Sequence, residues 1–223
     1  MLIRSIASFL LLLAPLFATT VEPVLLNGYL GKEQLGRIEK NLHMESKQTK
    51  EPFLFAIHSS AGEIEDVFSL AQKLYAFKKE TGREMIAFIQ GKAIGPAAVL
   101  PFLADQIFTT PLVAWGDIPY GTIPPTEPFK LTSKIEGLID TNQKRLSLLK
   151  QVAQAMIDPS YQLANKSQGF APLILNVKGL KSLNLVDKVM SDEEFEKSYL
   201  NSNPISNSFP STTEAVAQST VEK

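Results

Sequence analysis

Residues 91–105, read GKAIGPAAVLPFLAD, are the stretch best arranged for chemistry. An apolar strand pattern, Met85-Ile86-Ala87-Phe88-Ile89, runs into it, and an apolar helix pattern leaves it toward Asp105. A strand, a tight turn and a buried helix place the turn residue at a helix N-terminus, where free N–H groups and the positive end of the helix dipole point outward. Many enzymes seat a nucleophile at such a turn. Here the turn reads Gly95-Pro96. Glycine has no attacking atom, proline has no N–H, and no Ser, Thr or Cys occurs from Gly82 through Phe108.

A second group of reactive types is His58-Ser59-Ser60-Ala61-Gly62, at the end of another apolar run. His58 reads either as a base or as a side chain hydrogen-bonded to loop backbone. Ser59 and Ser60 read as loop and cap residues, or as unorthodox nucleophiles with no evident base. Glu63, Glu65 and Asp66 open the next helix, where acids favour the dipole; that cap role outweighs a catalytic carboxylate. The chain has no cysteine, which excludes thiolate catalysis, disulfides and Cys-based metal sites. Only His43 and His58 are available, so a His-rich metal site is excluded, and neither metal nor cofactor is expected. The net charge of −1, with Lys and Arg scattered, gives no reason to expect nucleic acid.

These residues need elements to hold them. The N-terminal 1–20 segment, MLIRSIASFLLLLAPLFATT, has a short positive start at Arg4, an apolar run and then small residues. It reads as a secretory signal peptide, or as an uncleaved anchor, and it points to an exported protein that is periplasmic or membrane-associated. Residues 21–200 read as one domain, and 201–223, rich in Ser, Thr, Asn and Pro, as a disordered tail. Within the domain, Val24-Leu25-Leu26 reads as a strand ending at Asn27-Gly28, and 32–47 as a helix. Phe53-Leu54-Phe55-Ala56-Ile57 is a continuous apolar run, the mark of a strand buried on both faces, with 58–62 as its exit loop. Residues 64–79 read as a helix closed by Thr81-Gly82. After the central turn come short strands at Ile107-Phe108 and 112–115. The Pro-rich 117–129 segment reads as a flap or a connector. A long helix is expected over 133–156, a strand over 173–177, a helical turn and short strand within 179–189, and a last helix over 192–199. Alternating strands and helices call for a mostly parallel α/β sheet, whose ligand site lies at the carboxyl ends of the strands. Residues 58–62 and 91–96 are two such ends, and they converge on one crevice.

Taken together, the two loops resemble the ClpP/crotonase superfamily, in particular its signal-peptide-peptidase and NfeD-type membrane-associated serine proteases. Those families carry a strand ending I-D-S-P-G-G-x-V, then G-x-A-A-S-A/G-G, then a helix ending A-A-D-x-I. Here these stand as Ile57-His58-Ser59-Ser60-Ala61-Gly62-Glu63-Ile64, as Gly91-Lys92-Ala93-Ile94-Gly95-Pro96-Ala97, and as Leu103-Ala104-Asp105-Gln106-Ile107. Thr110-Pro111-Leu112-Val113-Ala114-Trp115-Gly116 and Leu183-Asn184-Leu185-Val186-Asp187 are similar to later family segments, so the resemblance spans roughly 23–190 in order. It implies a ClpP/crotonase-like fold, a mostly parallel β-sheet with flanking helices.

The resemblance puts the family nucleophile at Gly95 and one oxyanion donor at Pro96; Ala61 and Gly62 belong to the loop that supplies the other. A missing donor of this kind costs about 3–4 kcal/mol of transition-state stabilisation. A missing nucleophile costs on the order of 10⁶-fold in rate. The family's dyad lysine maps onto Lys134, which without a serine to deprotonate reads as a surface lysine. The leading expectation is an exported serine-protease homologue that is catalytically inactive and acts as a binding or scaffold protein. Its partners would be a peptide or protein ligand and further copies of itself, with membrane association through the N-terminal segment. Two alternatives stand beside it. One is an active peptidase with a relocated Ser/Lys pair, using Ser59, Ser60 or Ser133. The other is a crotonase-type acyl-CoA enzyme, which tolerates glycine at the turn but needs the donor that Pro96 lacks.

Overall fold

A computed structural model of the chain describes residues 23–45, 51–118, 128–163 and 171–199. The segments expected as an N-terminal signal or anchor and as a disordered tail, and most of the proline-rich segment (119–127), lie outside the described residues.

The centre is a seven-stranded sheet. Its main path runs β1 (Val24–Leu30), β2 (Phe53–Gly62), β3 (Met85–Ile94), β4 (Gln106–Thr109) and β7 (Lys188–Val189), and every neighbouring pair on it is parallel. The apolar runs of β2 and β3 are buried on both faces: Phe53, Phe55, Met85 and Ala87 join the larger core, while Leu54, Ala56, Ile86 and Phe88 join a smaller one behind the sheet. The larger core is packed by α1 (Lys32–Glu45), α2 (Ile64–Thr81), a 3₁₀ helix (Gly95–Leu103), α3 (Pro128–Glu136) and α4 (Leu146–Ile157). The smaller one lies under α6 (Asp192–Tyr199), where Phe195 stacks on Phe88 at 4.1 Å between ring centroids.

β3 is the strand on which the rest is built. Its first half pairs with β4 (Ile86–Ile89 against Gln106–Thr109) and its second half with β5 (Ala114–Gly116), on the stretch 92–94. β6 (Ile174–Leu175) then runs antiparallel to β5. At the change-over Gly91 takes a positive φ, and its N–H donates to the Thr110 hydroxyl at 3.0 Å.

Two aspartates set the register by one device. Asp105, just ahead of β4, accepts the Met85 N–H at the start of β3 (2.8 Å). Asp187, just ahead of β7, accepts the Ile107 N–H in β4 (2.7 Å). Each carboxylate also has a cation: Lys78 at 2.6 Å from Asp105, and Arg145 at 2.8 Å from Asp187. These aspartates belong to the segments that carry the superfamily resemblance, and in the structure they hold strands.

Several sequence expectations change. β1 runs on to Leu30 through an irregularity at Gly28, where the register shifts between Asn27 and Tyr29. The expected exit loops 58–62 and 91–94 are strand, because Ser59 pairs with Ala93 and Leu30 with Gly62; sheet pairing overrides the turn chemistry of Ser, Ala and Gly. The helix after Gly95 is 3₁₀ rather than α. Pro101 inside it has no N–H to offer a carbonyl one α-turn back. The long helix over 133–156 is two helices. Gly137 and the Asp140 turn, whose carboxylate accepts the Asn142 N–H at 3.0 Å, interrupt an apolar stripe that continues through buried Leu138 and Ile139. The strand at 173–177 shortens to Ile174–Leu175, because Asn176 caps α5 (Val177–Ser182) and accepts the Gly179 N–H at 2.9 Å. The helical turn, the short strand after it and the last helix lie where expected.

Candidate active site

Gly95 follows directly on β3 and opens the 3₁₀ helix with φ +64, a left-handed conformation natural to glycine. Gly95, Pro96, Ala97 and Ala98 are all buried. Trp115 closes over the helix: its indole N–H donates to the Ala98 carbonyl at 2.9 Å, and its ring lies 5.0 Å from Phe102. The turn is therefore an apolar, buried corner, and its own residues 95–98 carry no side chain that could attack a carbonyl.

The neighbouring segment of β2 lies alongside. Ser59 is fully buried. Its hydroxyl donates to the Gly28 carbonyl at 2.6 Å, lies 3.0 Å from the Ala61 carbonyl, and faces the Ala61 N–H at 3.4 Å. It ties β2 to the irregular point of β1, and a hydroxyl with those partners is structural. Ser60 is half-buried, Ala61 exposed and Gly62 buried. A Cβ on Gly62 would lie 2.7 Å from the Leu30 carbonyl oxygen, so only glycine lets the two strands approach. The Glu63 N–H donates to that same carbonyl at 3.1 Å. The N–H groups of Ala61 and Glu63 are thus engaged inside the sheet.

His58 is exposed and stands on the face of β2 opposite Ser59. Its Nδ1 meets the Gln90 carbonyl oxygen of β3. A carbonyl only accepts, so Nδ1 carries the proton, and in the neutral form of the ring the lone pair is on Nε2. The sequence reading had His58 bonded to loop backbone; its partner here is strand backbone, because residue 90 lies inside β3.

Lys134 sits in the last turn of α3, not at the start of a long helix. Its ammonium reaches both carboxylate oxygens of Glu65 at 3.0 and 3.1 Å and lies 5.3 Å from the Phe68 ring centroid. Ser133 is exposed beside it. Glu65 and Asp66 lie in the first turn of α2, where acids favour the dipole as expected. Glu63 occupies the cap position without a capping bond and accepts the Tyr29 hydroxyl instead. That hydrogen bond raises the Tyr29 pKa above its ordinary value. Neither Tyr29 with Glu63 nor Glu65 with Lys134 was legible as a pair, because each joins residues far apart in sequence.

Asp117, directly after β5, is also new. It is a non-glycine residue with positive φ, and burial pushes its carboxyl above the ordinary value of 3.8. Among the described residues, no group of His, Cys, Asp and Glu could hold a metal ion, and no helix is long and apolar enough to cross a membrane.

The parallel main path, the side pairing of β5 on the far half of β3 and the flanking helices define a ClpP-like α/β fold. ClpP1 from Listeria monocytogenes superposes with a TM-score of 0.53 at 16% identity, covering 77% of this chain and 92% of that one. The 1510-N membrane-bound stomatin-specific protease, solved as a point mutant with a substrate peptide, superposes with a TM-score of 0.52 at 10% identity, covering 79% of this chain and 80% of that one. No protein-family profile matches the chain, and neither does any curated protein sequence.

Proposed function

We propose that the chain is an exported homologue of the ClpP-type serine proteases that has no peptidase chemistry and works as a binding or scaffold protein. The observation that carries this reading is the Gly95-Pro96 turn, which offers neither a nucleophile nor the N–H that would follow one. The engagement of Ser59 by backbone and of Lys134 by Glu65 supports it. The ligand is a peptide or protein segment, a reading supported by the substrate peptide bound to the stomatin-specific protease of the same fold. Self-assembly rests on the superfamily resemblance, and export and membrane association rest on the 1–20 segment.

A second reading has one observation in its favour: the Nδ1–H tautomer of His58 leaves an exposed Nε2 base two residues from Ser60 on the same strand. Labelling of the purified full chain with a fluorophosphonate probe decides between them. The binding-protein reading expects no labelling, together with a defined oligomer by light scattering. Labelling that disappears in Ser60→Ala overturns it in favour of the His58–Ser60 pair. Retention of an acyl-CoA by the chain overturns it in favour of crotonase-type chemistry.

A further inference from the structure

The amino ends of the strands, opposite the turn at Gly95, hold a dense set of charges. Lys78 is paired with Asp105 at 2.6 Å, Lys79 with Asp140 at 3.0 Å and Arg145 with Asp187 at 2.8 Å. Glu84 accepts from the Gln106 amide at 2.6 Å. Arg83 differs from the other cations. It is 5% exposed, it makes no ion pair with a described residue, and its guanidinium lies 5.8 and 5.5 Å from the ring centroids of Phe53 and Phe77. Its Nε–H donates to the Glu51 carbonyl at 2.7 Å, while Nη1 is buried without a hydrogen-bond partner. A guanidinium has five donors in a planar fork, and a buried donor without an acceptor is costly.

This arginine lines a cavity of about 490 Å³ together with Lys78, Lys79, Glu84, Asp105 and Asp140, within the size range of small-ligand sites. Lys78 and Lys79 are already neutralised there, so Arg83 is the lining cation that has no anion among the described residues; its Nη1 is closed off in this structure, and a ligand reaches it by a turn of the side chain toward the cavity. We propose that this cavity is a binding site for a carboxylate, seated on the Arg83 guanidinium. A singly charged planar carboxylate matches the fork edge to edge. A phosphate would set a second negative charge against Glu84, Asp105 and Asp140, which favours the monoanion. The site lies at the far end of the sheet from the turn, so it stands or falls independently of the proposed loss of peptidase chemistry. The carboxylate belongs either to a small acid or to a peptide C-terminus.

Titration of the full chain with sodium acetate and with one short peptide, as the free acid and as its C-terminal amide, tests this by NMR. Acetate and the free acid are expected to shift the Arg83 guanidinium resonances, and the amide is expected to leave them unmoved. Equal affinity for acetate and the free acid assigns the site to small carboxylates; a tighter free acid assigns it to peptide C-termini. Arg83→Lys keeps the charge and loses the fork, and it should weaken binding roughly tenfold or more, while Glu84→Gln should tighten it. Unmoved Arg83 resonances in the parent chain, an amide that binds as well as the acid, or unchanged affinity in a folded Arg83→Lys variant would overturn the proposal.

Discussion

The two ends of the central sheet are built on opposite principles. At the carboxyl end, the turn after β3 is sealed by apolar groups: Pro96, Ala97, Ala98, Phe102 and Trp115 are all buried. At the amino end, Lys78, Asp105, Asp140, Arg145 and Asp187 form ion pairs that also hold strand termini and helix ends. Both ends carry segments of the superfamily resemblance. The segments at the amino end retain the polar residues that set strand register, whereas the turn lacks the residues that would carry a reaction. A fold and a reaction can therefore be read separately in this chain, because their residues occupy different ends of the same sheet.

Mutations at the two ends should then behave differently. The largest effect is expected from Asp105→Ala. It takes the nearest carboxylate from a Lys78 ammonium whose side chain is 7% exposed, leaving it the Leu103 carbonyl at 3.1 Å and Asp140 at 4.0 Å, and it leaves the Met85 N–H unpaired. Loss of one partner of a buried pair costs about 3–5 kcal/mol, readable as a drop in the urea midpoint. Near the turn, Gly62→Ala drives a Cβ to 2.7 Å from the Leu30 carbonyl oxygen. Overpacking of that kind costs about 1–3 kcal/mol, and the thermal midpoint should fall accordingly. Gly95→Ser sharpens the contrast further. It places a side chain at φ +64, which costs about 1–2 kcal/mol, and without the Pro96 N–H it should gain no ester or peptide hydrolysis.

The smallest effect concerns Asp117. Its carboxyl pKa is raised in the folded state by burial. The folded chain therefore binds that proton more tightly than the unfolded chain. The resulting penalty is absent below the unfolded-state value and reaches its full size as pH rises through the folded-state value. Asp117→Asn removes the charge and suits the positive φ. Denaturation at several pH values should show the variant gaining on the parent from acid toward neutral pH.

The sequence made the buried strands legible, since the apolar runs in β2 and β3 leave no polar face to solvent. It also marked the end of α2, where Gly82 adopts φ +65 and donates its N–H to the Lys78 carbonyl at 2.9 Å. The extension of β2 and β3 through Ser59 and Ala93 was not legible, because those residues become strand by pairing with each other rather than by their own preference. The break between α3 and α4 was hidden by Leu138 and Ile139, which stay buried in a turn and keep the helical apolar spacing going. In the candidate site, the missing side chain at Gly95 and the missing N–H at Pro96 are facts of residue type and needed no structure. The burial of Ser59, the Glu65 partner of Lys134 and the orphaned Nη1 of Arg83 arise only when distant segments meet.

The chain is proposed to have no peptidase chemistry, and hydrolysis of a fluorogenic peptide library by the purified full chain, run beside its Ser60→Ala variant, tests this most directly. The proposed function predicts no turnover above buffer in either protein. Steady turnover by the parent chain that vanishes in Ser60→Ala would contradict it.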